Sequence, residues 1–74
     1  MNNQDLKRDL EKIKDFDPPI TVAKAYEKDF DYPFGLDIED TAYWYAEQKE
    51  RDEDFCALKK EVPTFSFIDN LERS

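Results

Sequence analysis

Asp40, Tyr43, Glu47, Glu50 and Asp54 follow one another at steps of 3, 4, 3 and 4 residues. On a helix that spacing sets them along one edge. Successive side chains then stand roughly 4.5–6 Å apart at 1.5 Å rise per residue, the scale on which phosphates repeat along a nucleic-acid strand. A row of carboxylates with a tyrosine among them could occupy an arginine- and lysine-lined channel built for DNA or RNA. Counter-ion release and charge-assisted hydrogen bonds would drive that contact. Tyr43 could stack on an arginine plane, or where a base would lie. Like charges at i, i+4 destabilise a helix by about 0.2–0.5 kcal/mol per pair, so the row works against its own helix. A solvated face on an acidic protein would show the same spacing with no partner at all.

A second acidic group, Asp29, Asp31, Asp37 and Glu39, lies just upstream. The formal charge is −8, and residues 29–54 supply all of it, with ten acids against Lys49 and Arg51. Residues 1–28 carry six acids and six bases, and residues 55–74 carry three of each. The same middle segment holds six of the eleven aromatics: Phe30, Tyr32, Phe34, Tyr43, Trp44 and Tyr45. Charge so confined attracts a cationic surface and repels nucleic acid and anionic membrane. The expected partner is a basic, nucleic-acid-binding protein. Asp40, Tyr43, Glu47, Glu50 and Asp54 form the expected contact, with Asp29, Asp31, Asp37 and Glu39 as a second patch. Neighbouring side chains on a helix diverge by about 100°. Trp44 and Tyr45 then fit the core face and Tyr43 is left exposed, placed as an interface anchor would be.

Catalysis finds little support. The chain has no His, which is the usual general base and the commonest metal ligand. Cys56 lacks a histidine to activate it and reads as a small apolar packing residue. Residues 29–40 invite comparison with a calcium-binding EF-hand loop, since Asp29, Asp31 and Asp40 fall at its first, third and twelfth places. Pro33 stands at the fifth place, Phe34 at the sixth where glycine is needed, and the twelfth is Asp instead of Glu. Asp37 and Asp40 as a paired acid and base need a cleft to perturb them, and so small a domain rarely encloses one. A single glycine leaves no phosphate-cradling loop. No basic patch exceeds Lys7-Arg8 and Lys59-Lys60, which argues against direct nucleic-acid binding. No catalytic residue, metal or cofactor is expected.

The elements that must position the acids follow from periodicity. Leu6, Leu10 and Ile13 fall at i, i+4 and i+7, which predicts a helix over 3–16 capped by Asn2 or Asn3 and ended by Asp17-Pro18-Pro19. Val22, Tyr26 and Phe30 favour a second helix over 20–29, although Ile20 and Val22 also suit a short strand. Pro33 and Gly35 mark 29–37 as a loop, with its aromatics tucked onto the core. Residues 38–61 read as the longest helix, with Asp37 as N-cap and Lys59 and Lys60 at the negative end. Ile38, Thr41, Trp44, Tyr45, Gln48 and Phe55 share its broad face, and a break is placed near 51–54. Residues 64–74 suit either a short strand around Phe65 and Phe67 or a last helical turn.

Seventy-four residues make one domain, 1–74. One Cys excludes an internal disulfide, and no apolar run reaches the roughly 18 residues of a membrane span. With no secretory signal at its start, the chain reads as complete, soluble and cytoplasmic. In size, charge and aromatic content it resembles the small acidic inhibitors of phages and mobile elements, including DNA mimics and anti-restriction or anti-CRISPR proteins. That likeness rests on composition and implies no residue roles. The expectation is therefore a mostly α domain of about three helices, with room for a short extended segment near 64–67. It would inhibit a nucleic-acid-handling protein without catalysis by occupying its cationic surface. Two rivals stand beside it. An antitoxin-like or regulatory partner would dock through Phe30, Tyr32, Phe34, Phe65 and Phe67, and a structural subunit would self-associate.

Overall fold

The computed structural model describes residues 1–16 and 19–69. Their order is α1 (Gln4–Lys14), β1 (Thr21–Tyr26), β2 (Phe34–Ile38), β3 (Thr41–Tyr45), α2 (Gln48–Glu61) and β4 (Ser66–Ile68). The fold is α+β, two helices on a four-stranded sheet, and this corrects the mostly α, three-helix expectation. The strands lie in the order β3-β2-β1-β4. β2 pairs antiparallel with β1 and with β3, while β4 pairs parallel with β1.

α1 forms as its sequence asks. Asn3 caps it, its side-chain oxygen accepting the Leu6 N–H at 3.1 Å, and Asp5 and Lys12/Lys14 suit the two ends of the dipole. Leu6 and Ile13 are buried. Asp17 and Pro18, expected to end this helix, lie outside the described residues.

Three other elements, β1, β2 and β3, depart from the helical or loop reading, and in each period 2 wins over period 3.6, whereas residues 48–61 are helical as expected. In β1, Val22, Lys24 and Tyr26 alternate toward the helices; Val22 sits opposite Ile38, Lys24 opposite Leu36 and Tyr26 opposite Phe34. In β2, Phe34, Leu36 and Ile38 face inward and Gly35 and Asp37 outward, so the expected loop over 29–37 ends where the strand begins at Phe34. Residues 38–61 are not one helix. They hold the end of β2, a two-residue turn at Glu39-Asp40, all of β3, and then α2. The break expected at 51–54 falls instead at 46–47, just before α2 begins. β4 supplies the extended segment expected near 64–67, starting two residues later and ending one later; residues 70–74 lie outside the description.

On a strand, Tyr43 and Tyr45 share a face and Trp44 takes the other. Tyr43 and Tyr45 are accordingly buried beneath the helices, and Trp44 is half-buried on the open face. This reverses the expected exposure of Tyr43. Trp44 lies over Gly35, where an added Cβ would stand 2.7 Å from the indole ring; that closeness explains the glycine within a strand. The core runs through Leu6, Ile13, Val22, Leu36, Ile38, Phe55, Leu58, Val62 and Phe65.

The β2–β3 turn is strained at Glu39, whose φ of 58° is left-handed. That region disfavours a residue with a Cβ and admits glycine. Glu39→Gly should therefore raise stability by about 0.5–1 kcal/mol. Chemical denaturation checks this; a loss of stability would contradict the turn geometry.

Candidate functional site

The nine residues singled out in the sequence do not form a single row. Asp40 sits in the β2–β3 turn and Glu47 beyond the far end of β3. Five strand residues at about 3.3 Å each set roughly 15 Å between them. Asp37, Glu39 and Asp40 are exposed together at the turn end of the sheet. Asp29 and Asp31 are exposed in the β1–β2 loop, at the opposite end, which also carries exposed Glu47 and Glu50 at the start of α2. The length of β2 thus separates Asp29 and Asp31 from Asp40, against the EF-hand comparison. Among the described residues no group of three or more metal-ligating side chains could hold an ion, and no helix is long and apolar enough to cross a membrane.

Two of the nine are interior. Asp54 is only 2% exposed. Its Oδ1 accepts the Asn2 backbone N–H at 2.7 Å, and its Oδ2 accepts the Asn3 N–H at 3.0 Å and the Tyr45 hydroxyl at 2.6 Å. Burial, then the bond to Asp54, pushes the Tyr45 phenol far above its ordinary range. Tyr43 is 6% exposed and donates its hydroxyl to Asp9 at 2.8 Å. Burial, reinforced by the Asp9 carboxylate, raises its pKa to about 12. Both side chains are turned into the fold.

What lies on the surface is an acidic and aromatic end. The Glu27 N–H donates to the Pro33 carbonyl at 2.8 Å, and the Phe30 N–H to the Glu27 carbonyl at 3.1 Å. These bonds close the base of the loop and fix its shape. Asp29, Phe30, Asp31 and Tyr32 alternate acid and aromatic along it. Phe30 meets the Trp44 ring edge-on at 4.8 Å and remains 49% exposed, while Tyr32 is 59% exposed. Tyr32 also borders a groove of about 680 Å³ between the start of α1 and the outer edge of β3, together with Asp5, Asp9, Trp44 and Glu50. The charge pattern pointed to Asp29 and Asp31, and the Asp-Phe-Asp-Tyr alternation was the available sign of Phe30 and Tyr32. Nothing in the spacing pointed to Asp5 and Asp9 as neighbours of β3.

Two basic residues, Arg51 and Lys24, are held inward, while Arg8, Lys28 and Lys49 are exposed. Arg51 is 1% exposed; its Nε donates to Asp52 at 2.7 Å and its Nη1 to the Ala25 carbonyl at 3.0 Å. Lys24 pairs with Asp52 at 3.3 Å and Asp69 at 2.6 Å. Burial alone would raise the Asp52 carboxyl, but hydrogen bonds from Arg51 and Lys24 outweigh it and hold the group below the usual range. No family model matches the chain, and it has no significant match among curated proteins or solved structures.

Two outcomes follow from the buried groups. In Asp54→Asn, an NH2 group replaces one oxygen and meets donors in place of an acceptor. The variant should lose about 2–3 kcal/mol, with faster hydrogen exchange at the Asn3 and Leu6 amides; unchanged exchange there would remove Asp54 as the tether. Tyr43 sets an alkaline limit. Its folded pKa lies above the unfolded value, so the stability it contributes is complete below about pH 10 and is lost as pH rises toward about 12. Tyr43→Phe should cost about 0.5–1.5 kcal/mol at neutral pH. Denaturation curves at rising pH should show its deficit narrowing above about pH 10; a constant deficit would contradict the assignment.

Proposed function

We propose that this chain is a non-catalytic acidic binding protein that docks on the cationic surface of a nucleic-acid-handling protein and blocks it. The alternating loop carries the reading. Asp29 and Asp31 are exposed and take part in no ion pair among the described residues, and the aromatics between and after them are exposed as well. Exposed aromatics within a charged rim are the composition of an interface centre. Phe30, Tyr32 and Trp44 offer ring faces to arginine, and the carboxylates offer it charge-assisted hydrogen bonds. The contact lies at the loop end, with Asp29, Asp31, Glu47 and Glu50; Asp37, Glu39 and Asp40 form a separate patch at the turn end.

The regular carboxylate ladder does not carry this reading, because Tyr43 and Asp54 are buried and the rest are divided between two ends. Charge complementarity with a basic surface replaces mimicry of a single phosphate strand. The aromatic rival narrows by the same observations. Phe65 is buried and Phe67 packs edge-on against Phe55 at 5.5 Å, so of its five residues only Phe30 and Tyr32 are strongly exposed. Those two share their loop with the acids, and one surface then serves both modes.

Charge reversal at the loop tests the proposal. Asp29→Lys with Asp31→Lys alters exposed side chains and should leave the circular dichroism unchanged. A basic protein recovered on the immobilised wild type should bind this variant at least about tenfold more weakly. Wild-type binding should also fall steeply with added salt. Unchanged affinity in the variant, or binding indifferent to salt, would sink the proposal.

A further inference from the structure

Among the described residues the sheet has one long edge without a partner. β3 ends the strand order, and among the described residues no backbone group pairs with its outer side except through one side chain, that of Asn3. The Asn3 Nδ2 donates to the Trp44 carbonyl at 3.1 Å, so the main-chain groups of Trp44 point away from β2. By the alternation of an antiparallel ladder, those of Ala42 do the same. The Ala42 N–H and C=O and the Trp44 N–H are left on the open edge.

Sheet edges are ordinarily blunted by lysine, proline, a bulge or shortness. β4, on the other side, is three residues long. β3 is five residues, Thr-Ala-Tyr-Trp-Tyr, with no charge and no proline. The groove between it and α1 is acidic. Asp5, Asp9 and Glu50 border it, and its single cation among the described residues, Arg8, is already engaged by Asp5 at 3.3 Å and Asp9 at 3.6 Å.

The geometry points to β3 as an acceptor edge for an extended, basic segment of a partner protein, which would add a fifth strand to the sheet. This deepens the proposed function and rests on its basic partner. Main-chain hydrogen bonds would supply affinity, and alternate side chains specificity. On the helix side of an added strand, a lysine or arginine would come beside Asp5 and Asp9. On the open side, an apolar side chain would come beside Ala42 and Trp44. The preferred segment therefore alternates basic and apolar residues. A second copy of this chain is disfavoured as occupant, because each copy carries −8.

The probe is an alternating lysine–valine peptide of about eight residues, enough to span β3. With wild-type protein it should slow hydrogen exchange at the Ala42 and Trp44 amides. N-methylating the peptide amides that face β3, either all the lysine or all the valine ones, should weaken binding about fivefold by removing the hydrogen bond to the Ala42 carbonyl. Methylating the other set should be tolerated. Equal affinity of both methylated peptides would mean charge attraction without strand pairing and would overturn the inference. So would absence of peptide binding, or a free protein that is dimeric with both amides already protected. None of those results touches the loop charge reversal, which decides the basic-partner reading by itself.

Discussion

The Asp54 carboxylate joins three pieces of chain from inside the fold, where it is only 2% exposed. It takes the backbone N–H groups of Asn2 and Asn3 and the hydroxyl of Tyr45. Asn3, once held there, caps α1 through Leu6 and reaches the Trp44 carbonyl with its amide nitrogen. One buried charge thus fixes where α1 begins, how α2 sits on the sheet, and how wide the groove along β3 is. A carboxylate taken out of water is tolerable only when its lone pairs are met, and three donors meet them here. So short a chain buries a modest core and has no disulfide to add to it, so a polar tether of this kind weighs more than it would in a larger domain.

The same helix carries a second buried charge, differently satisfied. Arg51 lies over the Phe34 ring at 5.6 Å and reaches Asp52 and the Ala25 carbonyl. Lys24 comes up from β1 to the same Asp52, with its ammonium 4.8 Å from the Phe55 ring. These two cations stitch α2 to β1 by ion pairing and ring contacts. A cation held inside the fold does little to screen carboxylates at the surface. The excess of acid in the middle of the sequence is therefore expressed outward, although Arg51 belongs to that segment.

This use of charge explains which parts of the fold the sequence made legible. α1 was readable because its buried positions are apolar and its cap is an asparagine. α2 was read as helix through its end at Glu61, but its start was not, because its inward positions are Arg51, Asp54, Phe55 and Leu58, and two charged residues in that stripe blur the apolar period that would have marked it off from β3. In β1 the inward position Lys24 breaks the alternation that Val22 and Tyr26 would have shown. In β2, Pro33 and Gly35 looked like punctuation, yet Gly35 is small because Trp44 lies on it. The β2–β3 turn was hidden by Glu39, which adopts a conformation that glycine or asparagine would have advertised. Of the candidate site, charge counting located the loop acids correctly on the surface. It misplaced Tyr43 and Asp54, since a helix at that point was the premise for both.

The acids at the loop end divide by whether the fold itself needs them. Asp5 lies in the first turn of α1 and Glu50 in the first turn of α2. Both helices begin beside the end of β3, where Asn2 also donates its side-chain N–H to Glu50 and Glu53. Carboxylates there face the positive ends of two helix dipoles, which stabilises the protein with no partner present. Asp29 and Asp31 have no such reason. They sit in a loop, within the first turn of neither helix, with no cation paired to either among the described residues. Both flank aromatics that the core leaves half outside. Under the proposed function, these two acids, which no ion pair among the described residues engages, are the ones left to meet a basic partner.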